Sequence, residues 1–197
     1  MGWHEYYLVN LACLLLPGIL LVVWGFRQEL SEYGLAPGDR KRGSQLALLG
    51  WIAFLPVLWT VGGRPAFQSY YLSNMHASGA LIPTNTGDAI DWGGWIFHEA
   101  TMTVYMLAWE WFFRGFLLFG LRKSFPDWFA VGAQALLFGL LHLGKPPEEV
   151  VSSFLGGIVL GFAALRLRSM IPCFAVHALV SASHDAVVIW FHLASPR

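Results

Sequence analysis

Ionisable residues lie inside three apolar segments of the chain. The stretch Ala108–Gly120 contains Glu110 and Arg114, four residues apart. His142 ends a second apolar run, and His177 lies near the start of a third. A carboxylate can act as a general base, and histidine exchanges a proton near neutral pH. These residue types together are suited to activating water, as the hydrolysis of a peptide bond requires.

The last apolar run carries a polar stripe. His177, Ser181 and His184 recur at intervals of four and three residues, and Asp185 follows directly. This spacing places the three side chains on one face of a helix, where they can line a cavity. A hydroxyl and a histidine can donate hydrogen bonds to a developing oxyanion. Ser181 therefore joins the candidate catalytic residues.

Other interpretations of these residues remain open. Histidine and glutamate are usual ligands of Zn²⁺, but the sequence contains no HExxH motif, so zinc is an alternative that it does not favour. Glu110 and Arg114 also fit a structural ion pair, because many buried pairs have no other role. His142, taken alone near Gly144, fits a histidine that caps a helix end.

The chain is too apolar for an ordinary soluble domain. Of its 197 residues, 56% are hydrophobic and 12% are charged, whereas soluble domains carry about 25% charged residues. The length suits one domain, residues 1–197. The formal net charge is zero, which gives no indication of a nucleic-acid partner. The sequence therefore predicts an all-α integral membrane helix bundle whose partner is the lipid bilayer.

Six apolar segments are candidate membrane spans. They are Tyr6–Phe26, Gln45–Val61, Trp92–Phe119, Trp128–Leu143, Val150–Leu165 and Met170–Leu193. A helix needs about 20 residues to cross the hydrocarbon core, so the short fourth and fifth segments are expected inside the bundle. The long loop before the third span is expected to hold one short interfacial helix near Phe67–Met75. His98 and Glu99 are expected at the outer interface.

Lysine and arginine collect in every second loop. The loops after spans one, three and five carry Arg27, Arg40, Lys41, Arg42, Arg122, Lys123, Arg166 and Arg168. The alternate loops hold only Arg64 and Lys145. Cytoplasmic loops are enriched in these residues, which predicts that both termini lie outside.

The depths of three residues in the membrane predict that their helices meet at one site. At about 1.5 Å per helical residue, Glu110 lies roughly 15 Å from the cytoplasmic end of its span. His142 lies roughly 20 Å and His177 roughly 10 Å from the same side. The hydrocarbon core is about 30 Å thick, so all three residues are expected near its middle.

Three short motifs occur in order along these runs: "WEWFFR", "FGLLH" and "HALVS". In this respect the chain, from about Trp92 to Leu193, resembles the CPBP (Abi) family of intramembrane proteases. That family includes the type II CAAX prenyl endopeptidases and has the motifs EExxxR, FxxxH and HxxxN. The resemblance implies an intramembrane endopeptidase that acts without a cofactor on a membrane-anchored protein or peptide. It also implies a bacterial cytoplasmic membrane.

The family motifs assign roles residue by residue. The resemblance implies that Glu110 activates a water assisted by His142, that Arg114 is the motif arginine, and that His177 lies near the oxyanion. Ser181 stands where the family usually has asparagine, and a hydroxyl can still donate a hydrogen bond. In addition, the residue before Glu110, Trp109, stands where the first glutamate is usual.

Two further function classes remain open. One is a catalytically inactive member of the family that acts as an immunity or scaffold protein, which Trp109 would explain. The other is a proton-coupled carrier that uses the same residues as a relay. Carriers often show repeated halves with broken helices in matching positions, and the sequence shows no such repeat.

Overall fold

A computed structural model describes residues 2–194, and most of them are helical. The α-helices are α1 (Trp3–Leu20), α2 (Arg40–Gly62), α3 (Pro65–Ser78), α4 (Trp92–Glu110), α5 (Leu118–Arg122), α6 (Asp127–Leu140), α7 (Pro147–Leu167) and α8 (Ile171–Ala194). Leu21–Gly25 and Trp111–Leu117 are π-helical, and Leu30–Tyr33 is a 3-10 helix. The predicted all-α class is confirmed.

Five continuous helical segments are long and apolar enough to cross a membrane. They are Trp3–Gly25, Arg40–Gly62, Trp92–Arg122, Pro147–Leu167 and Ile171–Ala194. Segments of this length and composition are those expected of an integral membrane protein. The fourth predicted span is the shorter helix α6, as expected. The fifth was predicted too short, because α7 begins at Pro147 and has 21 residues.

The loop before α4 contains more structure than the sequence predicted. The expected interfacial helix is α3, which ends at Gly79 in the left-handed conformation (φ +81°) that glycine adopts most readily. A hairpin follows, in which β1 (Leu81–Thr84) pairs antiparallel with β2 (Gly87–Ile90). The side chain of Asp91 then caps α4 by accepting a 2.7 Å hydrogen bond from the Gly94 amide.

Polar contacts join helix ends on two opposite sides of the bundle. On one side the Lys123 ammonium contacts Gln28 at 2.7 Å and Glu32 at 3.1 Å, which links the end of α5 to the segment after α1. On the other side Arg64, before α3, pairs with Glu148 in the first turn of α7. Successive long helices therefore run in alternate directions.

Helix α8 lies between α2 and α4, while α6 packs mainly against α7. Small residues allow the second pair to approach closely. A Cβ added to Gly157 would lie 2.9 Å from the Cβ of Ala135. One added to Gly161 would lie 2.7 Å from Nε2 of Gln134. The end of α6 lies beside α4 and α8, since the ring of Phe138 contacts those of Trp109 and His177.

Candidate active site

Glu110 is the last residue of α4 and is fully buried. Arg114, in the π-helical segment that follows, is also fully buried and donates from Nη1 to Glu110 Oε1 at 2.8 Å. The predicted contact between residues i and i+4 is therefore present. Local π-helical geometry is rare and occurs often at functional sites, because its wider turn redirects side chains.

His177 of α8 makes the second contact with the same carboxylate oxygen. Its Nδ1 lies 2.8 Å from Glu110 Oε1, although the two residues are 67 positions apart. An ionised carboxylate only accepts hydrogen bonds, so Nδ1 must carry the proton in this contact. The remaining ring nitrogen, Nε2, then has a free lone pair. Glu110 thus orients His177 and selects its tautomer.

His142 lies just beyond the end of α6 and is 6% exposed. Its Nδ1 is 2.7 Å from the carbonyl oxygen of Phe138, one turn earlier. A carbonyl only accepts hydrogen bonds, so Nδ1 donates and Nε2 again keeps its lone pair. The site therefore contains two histidines whose tautomers are both set by an acceptor at Nδ1.

The ring of Phe138 lies among the charged and basic groups of the site. The guanidinium carbon of Arg114 is 3.9 Å from its centroid, a cation–π contact. The rings of His142 and His177 have centroids 4.5 Å and 5.9 Å from it. The structure thus brings together Glu110, Arg114, His142 and His177, the four charged or basic residues that the sequence singled out.

Trp109 occupies space beside His142. The two rings meet edge to face with centroids 5.4 Å apart, and Trp109 also contacts Phe138 at 5.6 Å. Its indole Nε1 is buried without a hydrogen-bond partner among residues 2–194. The residue that stands in the place of the family's first glutamate therefore packs directly on one of the candidate catalytic groups.

Ser181 is half-buried one helical turn beyond His177. Among the described residues no hydrogen bond to its side chain is present, so the structure does not bring it into contact with the other four.

Several buried polar atoms of the site lack a partner among residues 2–194. They are Oε2 of Glu110, Nε and Nη2 of Arg114, and Nε1 of Trp109. Buried polar atoms are normally hydrogen-bonded, so a group of unpaired ones around a single ion pair is unusual. It marks this part of the bundle as polar beyond what packing alone requires.

A second polar cluster links α4 and α8, and sequence reasoning missed it. His98 Nε2 lies 3.1 Å from Oδ2 of Asp185, and His98 Nδ1 lies 2.8 Å from the hydroxyl of Ser78. The expectation that His98 faces the interface was wrong, since its exposed fraction is 2%. The pairing depends on the register of two antiparallel helices, which no local sequence pattern reveals.

The stripe on α8 divides between the two clusters. His184 Nδ1 lies 3.6 Å from Oδ1 of Asp185, and its ring contacts Tyr71 edge to face with centroids 4.1 Å apart. His177 belongs to the Glu110 site, two turns away. Among residues 2–194 no group of three or more His, Cys, Asp or Glu side chains is arranged to hold a metal ion.

Comparison with known proteins identifies the region that contains these residues. Residues 91–183, just under half of the chain, match a family model described as type II CAAX prenyl endopeptidase Rce1-like. Neither a search of curated proteins nor one of solved structures found a match. The matched segment begins at the cap of α4 and includes every candidate site residue. Through this segment the chain is similar to the Rce1-like type II CAAX prenyl endopeptidases, a match that agrees with the resemblance to the CPBP family.

Proposed function

We propose that this protein is an intramembrane endopeptidase that hydrolyses a peptide bond in a membrane-associated protein or peptide. The observation that carries the proposal is the hydrogen bond between Glu110, which is fully buried, and His177, whose side chain is 20% exposed; both residues lie within long apolar helical segments. Ionisable groups in such positions are costly and are usually functional. The family description supports the same class of reaction.

The first step is attack by water on the substrate carbonyl carbon. His177 Nε2 accepts a proton from the water while the oxygen forms the new C–O bond. The carboxylate of Glu110, at Nδ1, stabilises the imidazolium that results, as an aspartate does in a Ser–His–Asp triad. Nε2 of His142 accepts a hydrogen bond from the other O–H of the water and so orients it, without taking its proton.

The second step breaks the peptide bond. The carbonyl oxygen carries the negative charge of the tetrahedral intermediate, and the hydroxyl of Ser181 donates a hydrogen bond to it. The C–N bond then cleaves, and the proton held on His177 passes to the leaving nitrogen. The products are a carboxylic acid and an amine, and the scheme needs no cofactor.

In this scheme Glu110 activates the water through His177. Its Oε1 already accepts from Arg114 and His177, and its side chain has no exposed surface. Arg114 keeps the carboxylate ionised and fixed. The scheme exchanges the histidine roles that the resemblance implies, because only His177 has a carboxylate behind it to stabilise a positive charge.

The test can be carried out while the natural substrate is unidentified. Wild-type protein and Glu110→Gln are expressed in matched membranes, and new protein termini are identified by mass spectrometry. Cleavage of prenylated and unprenylated CAAX peptides in liposomes is measured in parallel. We expect Glu110→Gln and His177→Gln to lower cleavage by about 10²–10⁴-fold, the usual contribution of acid–base catalysis.

His192→Gln is the matched control, because His192 lies on the same helix and contacts Asp88 on the hairpin. It should cleave at the wild-type rate. Cleavage that survives both Glu110→Gln and His142→Ala would contradict the assignment of this site.

A catalytically silent protein is the second candidate, and the packing of Trp109 on His142 favours it. If the protein is silent, membranes that contain the wild type and membranes that contain Glu110→Gln should yield the same set of protein termini. Trp109→Glu restores the paired glutamates of the family motif and separates the candidates. If the wild type is silent, only this variant should generate cleavage; if it is active, both should cleave.

We further propose that both termini face the outside of a bacterial cytoplasmic membrane. The loop charges support this orientation, because contacts between Lys123 and Gln28, between Met170 and Gly34, and around the cavity lined by Arg122, Arg166 and Arg168 bring the basic helix ends to one side of the bundle. Single cysteines placed at Gly2 and at Lys41, after Cys13 is changed to Ser, provide the test. A membrane-impermeant thiol reagent should label intact cells at the first position and spare the second.

A further inference from the structure

A basic cavity lies on the side of the bundle where α5 and α7 end and α6 begins. Its volume is about 500 Å³. The residues that line it are Arg122, Asp127, Phe162, Leu165, Arg166 and Arg168. This cavity is remote from Glu110 and has no part in the proposed hydrolysis.

The cavity has excess positive charge, because three guanidinium groups and only one carboxylate line it. The carboxylate, Asp127, is already paired: Arg122 Nε donates a 2.8 Å hydrogen bond to it. Within residues 2–194, the side chains of Arg166 and Arg168 make no hydrogen bond or ion pair. Two positive charges therefore remain for a bound anion.

One wall of the cavity is apolar and reaches the membrane-facing surface. Phe162 is 46% exposed on α7, whereas Leu165 is buried beneath it. In a helix that crosses the membrane, an exposed phenylalanine faces lipid chains. A ligand that combines an anionic head with a hydrocarbon tail fits both parts of the cavity.

The backbone at Arg168 gives independent support. Arg168 caps α7 in the left-handed conformation, at φ 53° and ψ 36°, where glycine or asparagine is favoured. The turn is held by hydrogen bonds from Ser169 N to Ala164 O (3.1 Å) and from Met170 N to Gly34 O (2.9 Å). A strained residue in a fixed turn points to a role for its side chain.

We propose that this cavity binds the phosphate of an anionic glycerophospholipid, with Arg166 and Arg168 on the phosphate and an acyl chain along Phe162. Arginine suits this task, because its planar group donates paired hydrogen bonds to phosphate. Basic pockets between membrane helices on the cytoplasmic side are a recognised type of lipid headgroup site. The proposal is independent of whether the protein cleaves peptides.

The test measures lipid bound to the full chain. Purified protein is titrated with phosphatidylglycerol or phosphatidylcholine in detergent, and bound lipid is counted by native mass spectrometry. We expect preferential retention of phosphatidylglycerol. Arg166→Gln and Arg168→Gln should each weaken the binding of phosphatidylglycerol about fivefold, the usual effect of one basic residue at an anionic surface. The double variant Arg166→Gln/Arg168→Gln should lose more.

The control variant, Arg40→Gln/Lys41→Gln, removes two charges on the same side of the bundle but outside the cavity. It should retain wild-type binding. An equal loss in this control would overturn the proposal in favour of diffuse surface charge. Competition by soluble glycerol phosphate as strong as that by phosphatidylglycerol would overturn the lipid assignment.

Arg168→Gly separates binding from folding. Glycine relieves the strained backbone, so thermal stability in lipid-free detergent should stay the same or rise while phosphatidylglycerol binding falls. A purely structural arginine would instead lower stability. Unchanged binding in Arg168→Gly and in the double variant would overturn the proposal.

Discussion

Glu110 on α4 and His177 on α8 meet through one 2.8 Å hydrogen bond. The second pair between the same helices reverses the roles, since the acid, Asp185, lies on α8 and the histidine, His98, lies on α4. The two helices are thus joined at two levels by acid–histidine contacts. Such contacts favour one register of the helices, because sliding one past the other would break both of them.

The buried pair of Glu110 and Arg114 should show strong coupling in stability. Arg114→Met leaves a buried carboxylate without its cation and should cost about 3–5 kcal/mol. The double variant Glu110→Gln/Arg114→Met removes both charges and should recover much of that loss. Unfolding of the four proteins in detergent measures the coupling. Additive effects would show that the two charges do not depend on each other.

The second pair should stabilise the bundle without being needed for cleavage. Asp185→Asn removes the charged acceptor of His98 and should lower the free energy of unfolding by about 1–3 kcal/mol. Cleavage per folded molecule should be retained, because this pair lies two turns from His177. Ser181→Ala is the stability control and should stay within about 0.5 kcal/mol of wild type. An Asp185→Asn protein as stable as wild type would contradict this structural role.

Two glycines of α6 should respond oppositely to alanine. At Gly139 an added Cβ would lie 2.3 Å from the ring of Phe154 on α7, so Gly139→Ala should cost about 1–3 kcal/mol. At Gly132 nothing lies within 4 Å, so Gly132→Ala should be neutral or stabilise the helix by up to about 1 kcal/mol. Thermal unfolding of both variants decides this. If both variants were destabilised equally, the close packing of Gly139 against Phe154 of α7 would be contradicted.

The hairpin should be attached to the bundle in a pH-dependent way. Asp88 on β2 accepts a 2.7 Å hydrogen bond from His192 at the end of α8, and this bond holds the pKa of Asp88 below its usual value. A carboxyl group with a lowered folded-state pKa stabilises the protein above its unfolded pKa, near pH 4. That stabilisation is lost as the pH falls through the folded pKa.

The variant Asp88→Asn should therefore differ from wild type at pH 6 and approach it near pH 3. The contact is partly exposed, so the difference at pH 6 should be about 0.2–1 kcal/mol. Thermal unfolding at the two pH values provides the measurement. A difference that is the same at both pH values would show that the ionisation of Asp88 does not carry the effect.

Local sequence pattern predicted much of the architecture. Long apolar runs predicted the membrane helices, because only helices satisfy every backbone polar group in lipid. The spacing of Glu110 and Arg114 predicted their contact, because residues four apart share a helix face. Local pattern was less reliable for the length of spans: the apolar segment that begins at Val150 left out the acidic first turn of α7, which starts at Pro147. The hairpin was also missed.

The sequence by itself determined which helices form and which ionisable residues they carry into the membrane, since both follow from composition and short-range spacing. The tertiary structure alone decided the partners: His177 with Glu110, His98 with Asp185, and Trp109 against His142. Each of these contacts joins residues more than 30 positions apart. The register and rotation of packed helices select such contacts, and they depend on how all the side chains fit together.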